Sequence, residues 1–169
     1  MKIKTIGIVG VGNMGSAILR GILKRKLFSP ANIWAYDVIS SKASGLAKEL
    51  KIKWAKSPSE IASKSDLILL AVKPQNLPET AVSLRSHFVK NPAIITILAG
   101  VQVKAIKKYF GSKTLVVRAM PNLGATVGES FTAIIGDKSL LPVARNIFLS
   151  CGEVMLLPEG RFHAVTALS

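Results

Sequence analysis

The chain has 169 residues, 49% hydrophobic and 19% charged, with 13 Gly and 8 Pro. That length fits a single domain, and that composition excludes a disordered or collagen-like chain. The formal charge is +14, and a single cysteine, Cys151, excludes an internal disulfide and fits a reducing, cytoplasmic setting.

Strand and helix signals alternate along most of the sequence. Residues 2–10 read as a short apolar strand. The basic start at Met1 to Lys4 resembles that of a signal peptide, but the Gly-rich sequence after it breaks the apolar run. Residues 13–26 place Met14, Ile18, Leu19, Ile22 and Leu23 at helical spacing. A turn at Ser29 and Pro30 leads to a second strand, 32–37. A helix is predicted over 40–50, and Ser40 is a candidate cap for it; a short strand follows at 52–55. Ser57, Pro58, Ser59 and Glu60 read as a helix start, because Ser caps and Pro suits the first turn. Residues 66–72 form a buried strand, then a Pro-containing loop and a helix over 78–88. A strand at 93–99, a helix at 103–109 and a strand at 114–118 complete the regular part. Beyond it the reading is a loop at 120–128, a strand at 131–136, a helix at 140–151 and a strand at 153–157. A new helical pattern begins at Glu159 and stops at Ser169, which reads as an unfinished element.

This alternation predicts an α/β fold of the Rossmann type. A doubly wound, mainly parallel sheet carries helices on both faces. The longest apolar stretches, 67–72 and 93–101, fall short of the roughly 18 residues a membrane span needs. Residues 1–118 carry 20 basic and 5 acidic side chains, a balance of +15, whereas 119–169 carry 3 and 4, a balance of −1. Such an excess points to phosphate, and nucleic acid is one candidate partner. The lysines scatter without aromatic interleaving, however, so solvated helix faces account for most of them.

The strongest local signal is Gly10-Val11-Gly12-Asn13-Met14-Gly15, between the first strand and the first helix. In this pattern the first Gly makes a tight turn and the second admits a pyrophosphate to the backbone. The third lets helix and strand pack closely. The helix N-terminus adds unsatisfied N–H groups and a positive dipole end. Asp37 ends the second strand, where an acid hydrogen-bonds the ribose of NAD and repels the 2′-phosphate of NADP. Ser40, Ser41 and Lys42 follow closely and suit a phosphate, so NADPH and NADH both stay open. Ala71-Val72-Lys73-Pro74, Ala99-Gly100 and Arg118-Ala119-Met120-Pro121-Asn122 leave successive strands at the carboxyl edge, where open α/β sheets bind ligands.

These segments, with Ile8-Val9 before the Gly loop, resemble the N-terminal part of the pyrroline-5-carboxylate reductases. Val127-Gly128-Glu129 and the terminal Ala164-Val165-Thr166-Ala167-Leu168-Ser169 extend the resemblance in the same order and spacing. The resemblance implies an NAD(P)H-dependent imine reductase that converts pyrroline-5-carboxylate to L-proline, the last step of proline biosynthesis. Ile8, Gly10, Val11, Gly12, Asn13, Met14 and Gly15 would then form the pyrophosphate loop. Asp37 and Ser40 would lie near the adenosine ribose. Ala71, Val72, Lys73, Pro74, Ala99, Gly100 and Asn122 would line the path to the nicotinamide. Pro121, Thr166 and Ser169 would face the substrate.

No residue has a claim to general-acid work or to a metal. His87 and His163 read as ordinary helix residues, and Lys73 as part of the cofactor loop. Two departures from the resembled family stand out. Leu123-Gly124 replaces its Thr-Pro after Asn122, which puts the loop shape in question. The family also continues past this point into an all-helical domain that forms the dimer and most of the substrate pocket. The expected division is therefore a cofactor domain over 1–158 and the start of a further helix over 159–169. Homo-oligomers are expected only of the full-length form, and the isolated chain should be inactive or weak. The alternatives are another β-hydroxyacid-type dehydrogenase, or a non-catalytic nucleotide-sensing or nucleic-acid-binding protein.

Overall fold

A computed structural model describes residues 3–162 of the chain. Short apolar runs give β1 (Ile6–Val9), β2 (Ile33–Tyr36), β4 (Leu67–Leu70), β5 (Ala93–Thr96) and β6 (Val116–Met120), and the exposed pair Lys53–Trp54 adds a two-residue edge strand, β3. Between them lie α1 (Asn13–Lys24), α2 (Ser40–Leu50), α3 (Pro58–Lys64), α4 (Leu77–Arg85) and α5 (Val103–Phe110). The chain continues through β7 (Ser130–Gly136), α6 (Leu141–Leu149) and β8 (Gly152–Leu156). All eight strands join one sheet in the order β3-β2-β1-β4-β5-β6-β7-β8. Pairing is parallel throughout, except that β6 meets β7 antiparallel. Only residues 121–129 join those two strands, too few for the crossover that a parallel pair needs. The chain turns in opposite directions from β1 and β4, creating the switch point at which such sheets bind ligands. The α/β doubly wound fold expected from sequence is the fold observed.

The period-2 geometry of buried strands explains the two core layers. On β4, Leu67 and Leu69 enter one layer with Ile18, Leu19 and Ile22 of α1 and Phe148 of α6. Ile68 and Leu70 enter the other with Ile61, Leu84, Ile106 and Phe110 from α3, α4 and α5. Both faces of the strand are covered, so its sequence is a continuous apolar run rather than an alternating one. Each fully buried Leu or Ile contributes roughly 1.5–3 kcal/mol relative to exposure. Among the described residues, no helix is long and apolar enough to cross a membrane.

Several local expectations are corrected. The first strand is confined to Ile6–Val9, and α1 ends at Lys24 rather than 26. His87 lies beyond α4 in a turn, with its Nδ1 3.0 Å from the Ser83 carbonyl oxygen. The loop at 120–128 contains a 3-10 turn, Leu123–Thr126. Glu159–Arg161 forms another at the start of the helix expected over 159–169, and the rest of that expectation lies outside the described residues. Ser57 occupies the cap position of α3, but its hydroxyl pairs with that of Ser59 at 2.6 Å, and no side chain caps the helix. Ser40 is the first residue of α2 and Ile39 the cap, again without a side-chain bond. His163, Thr166 and Ser169 lie outside the described residues.

Candidate functional site

The carboxyl ends of β1, β2 and β4 meet at Gly10. Its N–H donates to the Tyr36 carbonyl at 2.8 Å, while Ala71 N–H donates to the Val9 carbonyl at 2.8 Å. Gly10 has φ +95°, and a Cβ there would lie 2.6 Å from the Ala71 oxygen. Only glycine combines that turn with that approach. Gly15, in the first turn of α1, is pressed against the same point. A Cβ on it would stand 2.1 Å from the Gly10 carbonyl oxygen.

Gly12 differs from both. It caps α1 in an ordinary extended conformation (φ −65°, ψ −170°), and a Cβ on it would meet nothing within 4 Å. The open space lies at the start of a helix that has neither a capping side chain nor an acid in its first turn. The leading N–H groups of α1 and its dipole are therefore left for an external anion. The arrangement fits a pyrophosphate: two glycines fix the turn, and the third keeps the approach clear.

Asp37 closes the loop from the side. Its Oδ2 accepts the Val11 N–H at 2.9 Å and its Oδ1 the Ile39 N–H at 2.9 Å. Val11 is nearly buried, so this carboxylate braces the Gly loop against the end of β2. The neighbouring Tyr36 phenol is pushed up by burial and then by the Asp37 and Glu79 carboxylates, and it stays protonated. Ser40, Ser41 and Lys42 lie exposed on the first turn of α2, another helix start without an acid or a side-chain cap.

Farther along the edge, half-buried Ala71 and Val72 lead to exposed Lys73 and Pro74, and a 3-10 turn (Pro74–Asn76) feeds into α4. Ile97 N–H donates to the Leu70 carbonyl at 3.0 Å and holds the β5 exit beside that of β4. Ala99 and Gly100 are exposed there. After β6, half-buried Pro121 and Asn122 start the loop toward β7. Asn122 Oδ1 accepts the Phe131 N–H at 3.2 Å, and the Asn122 N–H donates to Ser130 Oγ at 3.3 Å. Gly124 allows this closure, because a Cβ on it would lie 2.4 Å from the Glu129 carbonyl oxygen. The Leu-Gly pair that replaces Thr-Pro thus forms a compact turn stitched by Asn122. The described candidate residues from Gly10 to Asn122 share this carboxyl edge, whereas Ile8, expected in the pyrophosphate loop, is an interior residue of β1 whose side chain is fully buried in the core, out of reach of a pyrophosphate.

One pairing escapes a sequence reading. Glu159 Oε1 accepts the Val103 N–H at 2.9 Å, capping α5 from 56 residues away. The same oxygen receives Arg118 Nη1 at 3.3 Å, and that guanidinium is nearly buried under the Phe162 ring. An acid just after a Pro was the available local signal for Glu159, but its target is set by the fold.

A family model described as NADP oxidoreductase, coenzyme F420-dependent, matches residues 5–100. Over its full length the chain is 35% identical to a pyrroline-5-carboxylate reductase of Methanosarcina acetivorans, of which it covers 64%. It is 36% identical to that of Synechocystis over 97% of this chain and 62% of the relative. The chain thus spans a little under two thirds of these relatives and is similar to their N-terminal part. Among solved structures, the Streptococcus pyogenes reductase superposes with a TM-score of 0.84 at 27% identity, covering 99% of this chain and 62% of that one. The Plasmodium falciparum enzyme, solved with NADP bound, gives 0.84 at 25% identity, covering 98% and 62%. With more than half of its length matched by the family model and the Gly loop within the match, the chain belongs to the NADP oxidoreductase, coenzyme F420-dependent family.

Proposed function

We propose that this chain is the cofactor-binding part of a cytoplasmic pyrroline-5-carboxylate reductase, with residues 1–158 as the dinucleotide domain and 159–169 leading toward the rest. The carrying observation is the open cradle at Gly12, set in a chain similar to such reductases from end to end. When bound, NADPH or NADH would supply a hydride to the C=N carbon of pyrroline-5-carboxylate protonated on its ring nitrogen, whose C=N π electrons become the amine lone pair, giving L-proline and the oxidised nucleotide. Gly10 and Gly15 set the loop that receives the pyrophosphate. Val11, Gly12, Asn13 and Met14 present its backbone. Asp37 fixes the loop beside the adenosine ribose, and Ser40 and Lys42 offer contacts to a 2′-phosphate. The exits at 71–74, 99–100 and 121–122 order the nicotinamide end and exclude water from it. No side chain of this chain is assigned a proton-transfer step.

The similarity reaches 62–64% of the relatives' length, so the remainder of the substrate pocket, and any homo-oligomer, are assigned to the full-length form. The test is NADPH oxidation followed by absorbance with pyrroline-5-carboxylate present, run beside a calorimetric binding measurement on the same folded sample. Binding with little or no turnover is expected. Robust turnover by the 169-residue chain would contradict the division of labour. Failure to bind either nucleotide would contradict the reading itself.

A further inference from the structure

Two helices end on the edge of the sheet opposite the Gly loop, and both end in an unusual way. After α1, the Lys26 N–H donates to the Leu23 carbonyl and the Leu27 N–H to the Ile22 carbonyl, each at 3.0 Å. After α2, the Ile52 N–H donates to the Ala47 carbonyl at 3.1 Å. These bonds close the helix ends through a residue in the left-handed region, which is most often glycine. Here both positions hold lysine, Lys26 at φ 54° and Lys51 at φ 55°. Among the described residues, no other non-glycine residue has a positive φ.

The same two lysines line one cavity of about 690 Å³. Its apolar lining is Leu23, Phe28 and Leu50, half-buried side chains packed on the core, with Pro30 beside them. Neither lysine has an ion-pair partner among the described residues. The one acid in the lining, Glu49, is held by Arg20 through two bonds of 2.6 and 3.0 Å. Its charge is therefore answered by Arg20, whereas Lys24 and Arg25 add further positive charge beside Lys26. An apolar floor under an uncompensated cationic rim complements one kind of molecule, an anion with an apolar body.

We propose that this cavity is a second ligand site, for a small amphipathic anion such as an aromatic or medium-chain carboxylate or sulfonate. The paired left-handed lysines carry a backbone cost that glycine would not, and both stand in the lining of this cavity, where they supply its positive charge. α1 has 12 residues and runs from the Gly loop toward this cavity, so the site lies roughly 18 Å from the dinucleotide cradle and leaves it free.

The probe is anilinonaphthalene sulfonate, titrated by fluorescence into the 169-residue chain held in saturating NADPH and, separately, without nucleotide. One saturable site that persists with NADPH is expected. The K26G/K51G variant should weaken it about fivefold. Because glycine suits both backbone positions, its thermal midpoint should match or exceed that of the parent. The K104A/K108A variant removes the same charge from the exposed face of α5 and should leave the affinity unchanged. No saturable binding, binding abolished by NADPH, or equal affinities in parent and K26G/K51G would each overturn the proposal. An equal loss in both lysine pairs would also overturn it, by showing a general charge effect.

Discussion

The Asp37 carboxylate is tied to Val11: Oδ2 accepts the Val11 N–H at 2.9 Å, and Oδ1 reaches the Ile39 N–H at the same distance. An acid at the end of the second strand is thus a brace for the Gly loop before any ribose arrives. Asn can accept only one of the two bonds and turns an amide NH₂ toward the other donor. Asp37→Asn should therefore cost about 1–2 kcal/mol, read from the urea midpoint. An unchanged midpoint would mean that these bonds contribute nothing to the fold.

Gly12 and Gly15 separate binding from folding. Alanine at Gly15 would put its Cβ 2.1 Å from the Gly10 carbonyl oxygen, so α1 must shift off β1. We expect a loss of roughly 2–3 kcal/mol in stability, together with lost nucleotide binding. Alanine at Gly12 meets nothing within 4 Å, and its backbone is ordinary. Its thermal midpoint should be unchanged, while nucleotide affinity falls about tenfold because the added methyl occupies the approach path. Equal behaviour of the two variants in both assays would contradict the assigned roles.

Acid sensitivity should centre on Asp66. Burial alone would raise its pKa, but bonds from Lys90, the Lys4 N–H, and the Thr5 hydroxyl and N–H outweigh burial and hold it far below the usual carboxylate range. A carboxylate depressed in the folded state adds stability that is present above its unfolded pKa of about 3.9. That stability is lost as pH falls toward the folded value. The denaturation midpoint should therefore decline below roughly pH 5. Asp66→Asn should be less stable by about 2 kcal/mol at neutral pH and show a shallower acid slope. Parallel pH profiles for parent and variant would refute the assignment.

Arg118 and Glu159 should respond asymmetrically. The nearly buried guanidinium makes one contact of 3.3 Å with Glu159, and its Nε has no hydrogen-bond partner among the described residues. Removing the carboxylate leaves a buried cation unpaired and the Val103 N–H uncapped, so Glu159→Ala should cost about 3 kcal/mol. Arg118→Met replaces the cation with an apolar side chain of similar length beside Phe162 and should be close to neutral. Adding Arg118→Met to Glu159→Ala should recover most of the loss, as read from a double-mutant cycle. Additive losses would show that the two side chains act independently.

The sheet was legible because its signals are local. Runs such as 67–70 are apolar over the length of a strand, and α1 repeats Ile18, Leu19 and Ile22 on one face. The Gly loop was legible because its three glycines stand at fixed spacing between a strand and a helix, although the close approach of Gly10 to Ala71 is set by the fold. What escaped depends on where the fold brings distant groups. Glu159 caps a helix 56 residues earlier in the chain. The missing cap at Ser57 is instead a local competition, in which its hydroxyl pairs with that of Ser59. The left-handed lysines at 26 and 51 are hidden for another reason: lysine carries no turn signal, so the helix predicted over 13–26 overshoots the end of α1 at Lys24.

The most direct test of the central claim is a calorimetric titration of the 169-residue chain with NADPH and, in parallel, with NADH. Saturable binding at one site per chain is the predicted result. Tighter binding of NADPH would assign the 2′-phosphate to the Ser40–Lys42 turn, and tighter binding of NADH would assign the selectivity to Asp37. Absence of binding by either nucleotide, in a sample shown to be folded, would contradict the assignment of the cradle at Gly12 as a dinucleotide site.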